Sequence, residues 1–180
     1  YHNFRHPFHV LWLCHDACRY YQKSLNKRMS RNLLIAAMMH DLDHSGKVGD
    51  DALEINRALA ALERHILSSD RAEWSNIKSL IKATQYPHQR QSKPFSLTER
   101  ILRDADLAQC FDRAWIQQVV IGLARENSVT HTDMLERQVE FLTNLKFKTK
   151  WAHERFDQPV IDRKVVEVRN LISCLTSTVT

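Results

Sequence analysis

Apolar positions fall at helical spacing along most of the chain. Between Asp51 and Leu67 they are Leu53, Ile55, Leu59, Leu62 and Ile66, close to a period of about 3.6 residues, which predicts an amphipathic helix. Leu33 to Met39 is apolar on every side, so a helix over Asn32 to Met39 is expected to be buried all round. That run leads into His40-Asp41-Leu42-Asp43-His44-Ser45-Gly46, where Gly46 can take up left-handed backbone. A first helix is expected from about His6 to Ser24. Asp70 with Glu73 reads as an N-cap and its partner, opening a helix to about Gln85 that Tyr86-Pro87 breaks, with Gln89 to Pro94 as a polar loop. Ser96 and Glu99 form a capping box ahead of Ile101, Leu102, Ala105 and Leu107. Further helices are expected over about Asp112 to Arg125, from Thr130 or Thr132 towards Phe147, and over about Ile161 to Leu175. No internal repeat, low-complexity tract or long linker divides the chain. The expectation is an all-α fold, one compact single-domain helical bundle spanning residues 1–180 with about seven or eight helices.

Composition strengthens that reading. Three Gly and four Pro in 180 residues are too few for the tight turns of an all-β or α/β fold. A hydrophobic fraction of 43% and a charged fraction of 26% argue against disorder. No run approaches the ~18 apolar residues of a transmembrane helix, so no membrane partner is expected. The net charge of +5 is spread out, with Lys27-Arg28 and Lys146 to Lys150 the densest parts. They read as solvated helix faces, or as a mild attraction for anionic substrates. No basic patch is interleaved with aromatics, which argues against nucleic acid as a partner. Cys14, Cys18, Cys110 and Cys174 include no Cys-x-x-Cys pair and read as buried free thiols of a cytoplasmic protein. The chain starts at Tyr1, without Met, and an upstream segment is expected.

The histidines change the picture. Six of the ten, His2, His6, His9, His15, His40 and His44, lie in the first 44 residues. His2, His6 and His9 are four and three apart and can share a helix face, as metal ligands or as a solvated stripe. His40-Asp41 follows a wholly apolar helix. Ionisable groups at its buried end cost roughly several kcal/mol unless a metal or partner compensates. Asp104 and Asp106 lie in another apolar helix, where an acid calls for a cation. Histidines with late carboxylates leave coordination positions open, as a catalytic metal site requires and a structural zinc site does not.

His6, His40-Asp41 and Asp106 resemble the metal-binding pattern of the HD superfamily of metal-dependent phosphohydrolases. Within it the chain is most similar to the catalytic domain of class I cyclic nucleotide phosphodiesterases. Tyr1-His2-Asn3-Phe4-Arg5-His6 resembles the opening Tyr-His-Asn-x-x-His of that family. His40-Asp41-Leu42-Asp43-His44-Ser45-Gly46 resembles its His-Asp-x-Asp-His-x-Gly block, and Leu62-Glu63-Arg64-His65 its Leu-Glu-Asn-His. Lys82-Ala83-Thr84-Gln85, Ala105-Asp106-Leu107 and Gln138-Val139-Glu140-Phe141-Leu142 follow in the family's order.

The resemblance implies an HD/PDEase-type bundle holding two divalent metal ions. His6, His40, Asp41 and Asp106 would hold the tighter one, zinc or manganese or iron. Asp41 would bridge to a second, magnesium or manganese, with His44, Glu63 and Thr84 bonded to its waters. A bridging hydroxide would attack the 3′,5′-phosphodiester of a cyclic nucleotide, with His2 as general acid. Gln138 would bond the purine and Phe141 stack on it. The chain departs from the family at His9, Gln85, Gln109 and Ile121-Gly122, where the family has Asp, Asp, Asn and a glutamate pair. Two alternatives stay open: a general HD phosphohydrolase of nucleoside monophosphates or other phosphate esters, and a nucleotide-binding module without activity.

Overall fold

The computed structural model describes residues 1–47, 49–86 and 95–177, and the Gln89 to Pro94 loop lies outside them. Every regular element among the described residues is helical. No helix among them is long and apolar enough to cross a membrane. The chain divides into two compact units, His2–Gln109 and Tyr1 with the chain from Cys110 onward.

In the first unit α1 spans Arg5–Tyr20, α2 Lys27–Met39, α3 Asp51–His65, α4 Trp74–Lys82 and α5 Leu97–Leu107. Caps set most of these limits. Asn26 accepts from Met29 N and starts α2 at Lys27, six residues before the apolar run at Leu33, so the helix opens with an exposed basic turn. Asp50 caps α3 by accepting from Ala52 N. Ser96 and Glu99 make the expected capping box of α5. Asp70 does not act as a cap: its carboxylate takes a bidentate bond from Arg31, at 2.8 and 2.9 Å, inside a 3₁₀ turn over Ser68–Glu73. Glu73 accepts from Asn32 and Asn76, and α4 begins after it, at Trp74. A planar guanidinium fork one helix away outcompeted the local backbone donors for the Asp70 carboxylate.

Val10, Leu13, Cys14 and Ala17 of α1 are buried with Leu33, Ala36 and Ala37 of α2 and Ile101, Leu102 and Ala105 of α5, and these three helices pack on one another. From Asn32 onward only Asn32, Leu33, Ala36 and Ala37 of α2 are buried; Leu34, Ile35, Met38 and Met39 are half-buried, so the apolar helix is not buried all round. The turn after it carries two left-handed residues, Asp43 at φ 63° and Gly46 at φ 68°. Asp tolerates that backbone better than most side chains. Glu54 pins the turn from outside, accepting from the backbone and hydroxyl of Ser45 at 2.9 and 2.6 Å.

The second unit holds a π-helix over Ile116–Leu123 continuing into α6, Ala124–Asn127, then α7, His131–Asn144, α8, Lys150–Arg155, and α9, Gln158–Ser177. The expected helix over Asp112 to Arg125 is thus largely a π-helix. Thr130 forms a capping box with Asp133, which places the start of α7 after Thr130 rather than Thr132. Short α8, capped by Thr149, was not expected, and α9 begins three residues early because Asp157 accepts from Val160 N. Cys110, Trp115, Val119, Val120, Leu135, Leu142 and Val168 form the core. Gly122 belongs there for a steric reason. A Cβ at Gly122 would stand 3.0 Å from the Tyr1 nitrogen, which pairs with Glu126. Lys146, Lys148 and Lys150 are exposed while Phe147 and Thr149 are buried, so the basic run is a solvated face. All four cysteines are free thiols, but only Cys14 and Cys110 are buried; Cys18 is half-buried and Cys174 is exposed.

Candidate metal centre

Three helix ends meet in the first unit. On α1 the buried stripe of Val10, Leu13, Cys14 and Ala17 extends back one turn to His6. On α2 the stripe of Leu33, Ala36 and Ala37 leads to His40, the residue that ends the helix. On α5 Ile101, Leu102 and Ala105 lead to Asp106. The apolar faces that join the helices therefore carry their polar ends to one place. His6 is at the start of α1, and His40 and Asp106 at the ends of α2 and α5, so α1 runs antiparallel to both.

His6 Nε2 lies 3.2 Å from His40 Nε2, 3.2 Å from Asp41 Oδ2 and 3.0 Å from Asp106 Oδ1. His40 Nε2 lies 3.2 Å from Asp41 Oδ2 and 3.5 Å from Asp106 Oδ1. The two imidazoles are buried, while the Asp41 and Asp106 side chains keep 18% and 21% of their surface. The cluster thus backs onto the core and opens on its carboxylate side. Asp106, not Asp104, reaches it.

Both rings are held at their far nitrogens. His40 Nδ1 donates to the Ala37 carbonyl at 2.9 Å, and His6 Nδ1 to Gln109 Oε1 at 3.1 Å. These bonds select the tautomer that leaves each Nε2 with a lone pair aimed into the cluster. Two such lone pairs 3.2 Å apart repel unless a proton or a cation lies between them. Burial disfavours charge on His6, yet the Asp106 and Asp41 carboxylates overcome it and raise its pKa to about 9. His40 is raised in the same way. Burial pushes Asp41 and Asp106 up, and the two imidazoles more than reverse it, leaving both below the usual carboxylate range. Asp41 Oδ2 is buried and accepts no hydrogen bond. The nitrogens, that oxygen and the charge balance all fit a cation. His6, His40 and Asp41 each offer a ligand atom within 4.8 Å of the others.

His2 stands beside the cluster. Its ring meets the edge of His6 at 6.1 Å and stacks on His44 at 3.5 Å. His44 is turned by a bond from Gly46 N to its Nδ1. Thr84 is buried on the turn after α4, its hydroxyl donating to the Ile81 carbonyl. Glu63 is exposed on the last turn of α3. Gln138 is buried in α7 of the second unit, its amide directed at Met134 Sδ 3.9 Å away. Phe141 is half-buried against that unit's core.

Two residues of the site escaped sequence reasoning. Gln109 was noted only as a departure, yet it orients His6 across 103 positions. Asp51 looked like a helix start. It accepts from Tyr86 N at 2.8 Å, and burial, with the Asp106 and Asp41 charges behind it, raises its pKa. Its place, ten residues after Asp41 at the mouth of the same turn, was the signal available. No family model, curated protein or solved structure matches the chain.

Proposed function

We propose that the chain is a metal-dependent phosphohydrolase acting on a small phosphate ester. The observation that carries this reading is the meeting of two oriented imidazoles with the Asp41 carboxylate, whose buried Oδ2 accepts no hydrogen bond, and with Asp106 Oδ1 3.0 Å from His6 Nε2. Two nitrogen and two oxygen donors suit zinc, manganese or iron. His6, His40, Asp41 and Asp106 would hold that ion, and on the resemblance Asp41 would also serve a second, more hydrated magnesium or manganese, with His44 and Thr84 bonded to its waters. A divalent cation supplies Lewis acidity towards a phosphoryl oxygen and lowers the pKa of water.

The chain's own residues do the rest. Gln109 and the Ala37 carbonyl keep both imidazoles in the binding tautomer. His2, held by its stack on His44, protonates the departing oxygen as the P–O ester bond breaks and water oxygen bonds to phosphorus. The resemblance points to a 3′,5′-cyclic nucleotide, with Gln138 and Phe141 on the base. Both of these are engaged within their own unit, which favours the wider reading, a nucleoside monophosphate or another phosphate ester.

The test is metal analysis and hydrolysis after chelation and refilling with zinc, manganese or magnesium, on cyclic nucleotides, nucleoside monophosphates and aryl phosphate esters. Stoichiometric metal with metal-dependent hydrolysis is expected; a protein that retains no metal overturns the reading. His2→Ala should keep its metal and lose about 10²–10⁴-fold in turnover on an alkyl ester. Its loss on an activated aryl ester should be smaller, because a good leaving group needs little protonation. An unchanged rate removes His2 from the chemistry.

A further inference from the structure

Val165, Val168, Leu171 and Ile172 of α9 belong to the core of the second unit. Val160, Arg163, Lys164 and Glu167 follow the same three-and-four spacing along the adjoining side of the helix. They line a cleft of about 550 Å³, together with Arg155 at the end of α8 and the rings of Phe111 and Phe156. That volume falls within the roughly 300–1,000 Å³ of small-molecule sites. Every lining residue belongs to the unit from Cys110 onward.

The lining is unbalanced in charge. It carries three cations, Arg155, Arg163 and Lys164, against one carboxylate, Glu167. Both oxygens of that carboxylate are engaged, Oε1 by Trp115 Nε1 at 3.0 Å and Oε2 by Lys164 Nζ at 2.7 Å. The Lys164 ammonium also lies 4.5 Å from the centre of the Trp115 ring. Trp115, Lys164 and Glu167 therefore satisfy one another. The acids nearest in sequence are engaged as well: Asp112 by Ala114 N, Glu154 by Lys150, Asp157 by Val160 N and Asp162 by Gln158. Arg155 and Arg163, both exposed, give the cleft its positive excess. The rest of the lining is apolar. Phe111 and Phe156 stack with centroids 4.8 Å apart, Arg155 Cζ lies 5.8 Å from the Phe156 centroid, and Val160 is half-buried. Aromatic rings beside a guanidinium fork match a planar apolar body that bears a phosphate or a carboxylate.

We infer that this cleft binds a small aromatic anion, an aryl or nucleoside phosphate or an aryl carboxylate. Its ring lies against Phe111, Phe156 and Val160, and its anionic group meets Arg155 and Arg163. Lys164 is held to Glu167 and Trp115 and serves as a fixed wall. The site does not rest on the phosphohydrolase reading, because no residue of the His–Asp cluster takes part in it.

The test titrates the full chain, with chelator present and at constant ionic strength, and reads binding by calorimetry. The probes are phenylphosphonate, whose C–P bond ester hydrolysis does not touch, and benzoate. Inorganic phosphate serves as the anion without a ring and benzyl alcohol as the ring without a charge. At least one aryl anion should saturate one site per chain and bind about tenfold more tightly than inorganic phosphate, while benzyl alcohol gives no heat. The tighter of the two aryl anions identifies the anionic group. Arg163→Gln should weaken that binding about tenfold and leave the melting temperature unchanged, because the side chain is exposed. Val160→Glu is the second variant. Val160 stands three residues after the cap Asp157, where a glutamate suits the helix start, so α9 keeps its beginning while the added carboxylate repels the ligand. Its binding should be lost. Equal affinity for inorganic phosphate and the aryl anions overturns the site and leaves only general attraction to surface charge. Unchanged affinity in both variants also overturns it, by placing the bound anion elsewhere. No saturable binding of either aryl anion does the same.

Discussion

His6 has its orientation from Gln109, and that single bond carries a prediction. A ligand imidazole whose far nitrogen loses its partner can rotate and change tautomer, which typically weakens metal binding about 10–100-fold. Gln109→Ala should show that loss in a zinc competition titration, while Gln85→Ala, altered at another departure, should not. The same cluster has a pH signature. The folded chain raises the His6 pKa from 6.5 to about 9, so it binds that proton more tightly than the unfolded chain does. In metal-free protein this stabilisation is complete below about 6.5 and lost as pH rises through about 9. A metal displaces the proton, so its hold strengthens over the same window. The melting temperature of metal-free protein should fall between these limits while the gain on adding zinc grows. A zinc gain that is flat with pH would mean the ion does not compete with the imidazole proton. The proposed ligand residues were legible one by one, as ionisable groups at the ends of apolar runs. Gln109 was not, because a glutamine in an irregular turn carries no sign of what lies 103 positions away.

Caps explain where sequence reading of the elements succeeded. Ser96 with Glu99 and Thr130 with Asp133 satisfy backbone donors within three residues, so local chemistry was enough to place α5 and α7. Asp70 misled for the converse reason: its partner, Arg31, is 39 residues away and holds α2 to the 3₁₀ turn. Asn26, Thr149 and Asp157 are competent caps that went unread because no apolar run begins beside them. The box on α5 is also tied to α4, since Ser79 Oγ donates to Glu99 Oε1 at 2.6 Å. Ser96→Ala should therefore cost about 1 kcal/mol in denaturant unfolding, within the usual span of about 0.5–2. Hydrogen exchange should quicken at the first turn of α5, ahead of Arg103, and leave the Asp106 turn protected. No change in either would show that tertiary packing alone starts this helix.

At the scale of the molecule, a cation that binds the folded chain and not the unfolded one adds stability by mass action, about 2.7 kcal/mol at a hundred times its dissociation constant. That gain would belong to the unit His2–Gln109, which holds all four proposed ligands. Removing metal should lower the melting temperature and loosen exchange protection in α1, α2 and α5, while α7 and α9 keep theirs. Loss spread evenly over both units would mean that the cluster does not anchor its own unit. The sequence by itself determined the helical class, the apolar stripes and most helix starts, because each depends on residues three or four apart. It also marked His6, His40, Asp41 and Asp106, because charge beside an apolar run is anomalous wherever the chain goes. The tertiary structure decided what those anomalies meet. The antiparallel docking of α1 on α2 and α5 turned separate ends into one cluster with two imidazole nitrogens 3.2 Å apart. Packing of whole apolar faces fixes which helix ends coincide, and that register is a property of the assembled core rather than of any segment.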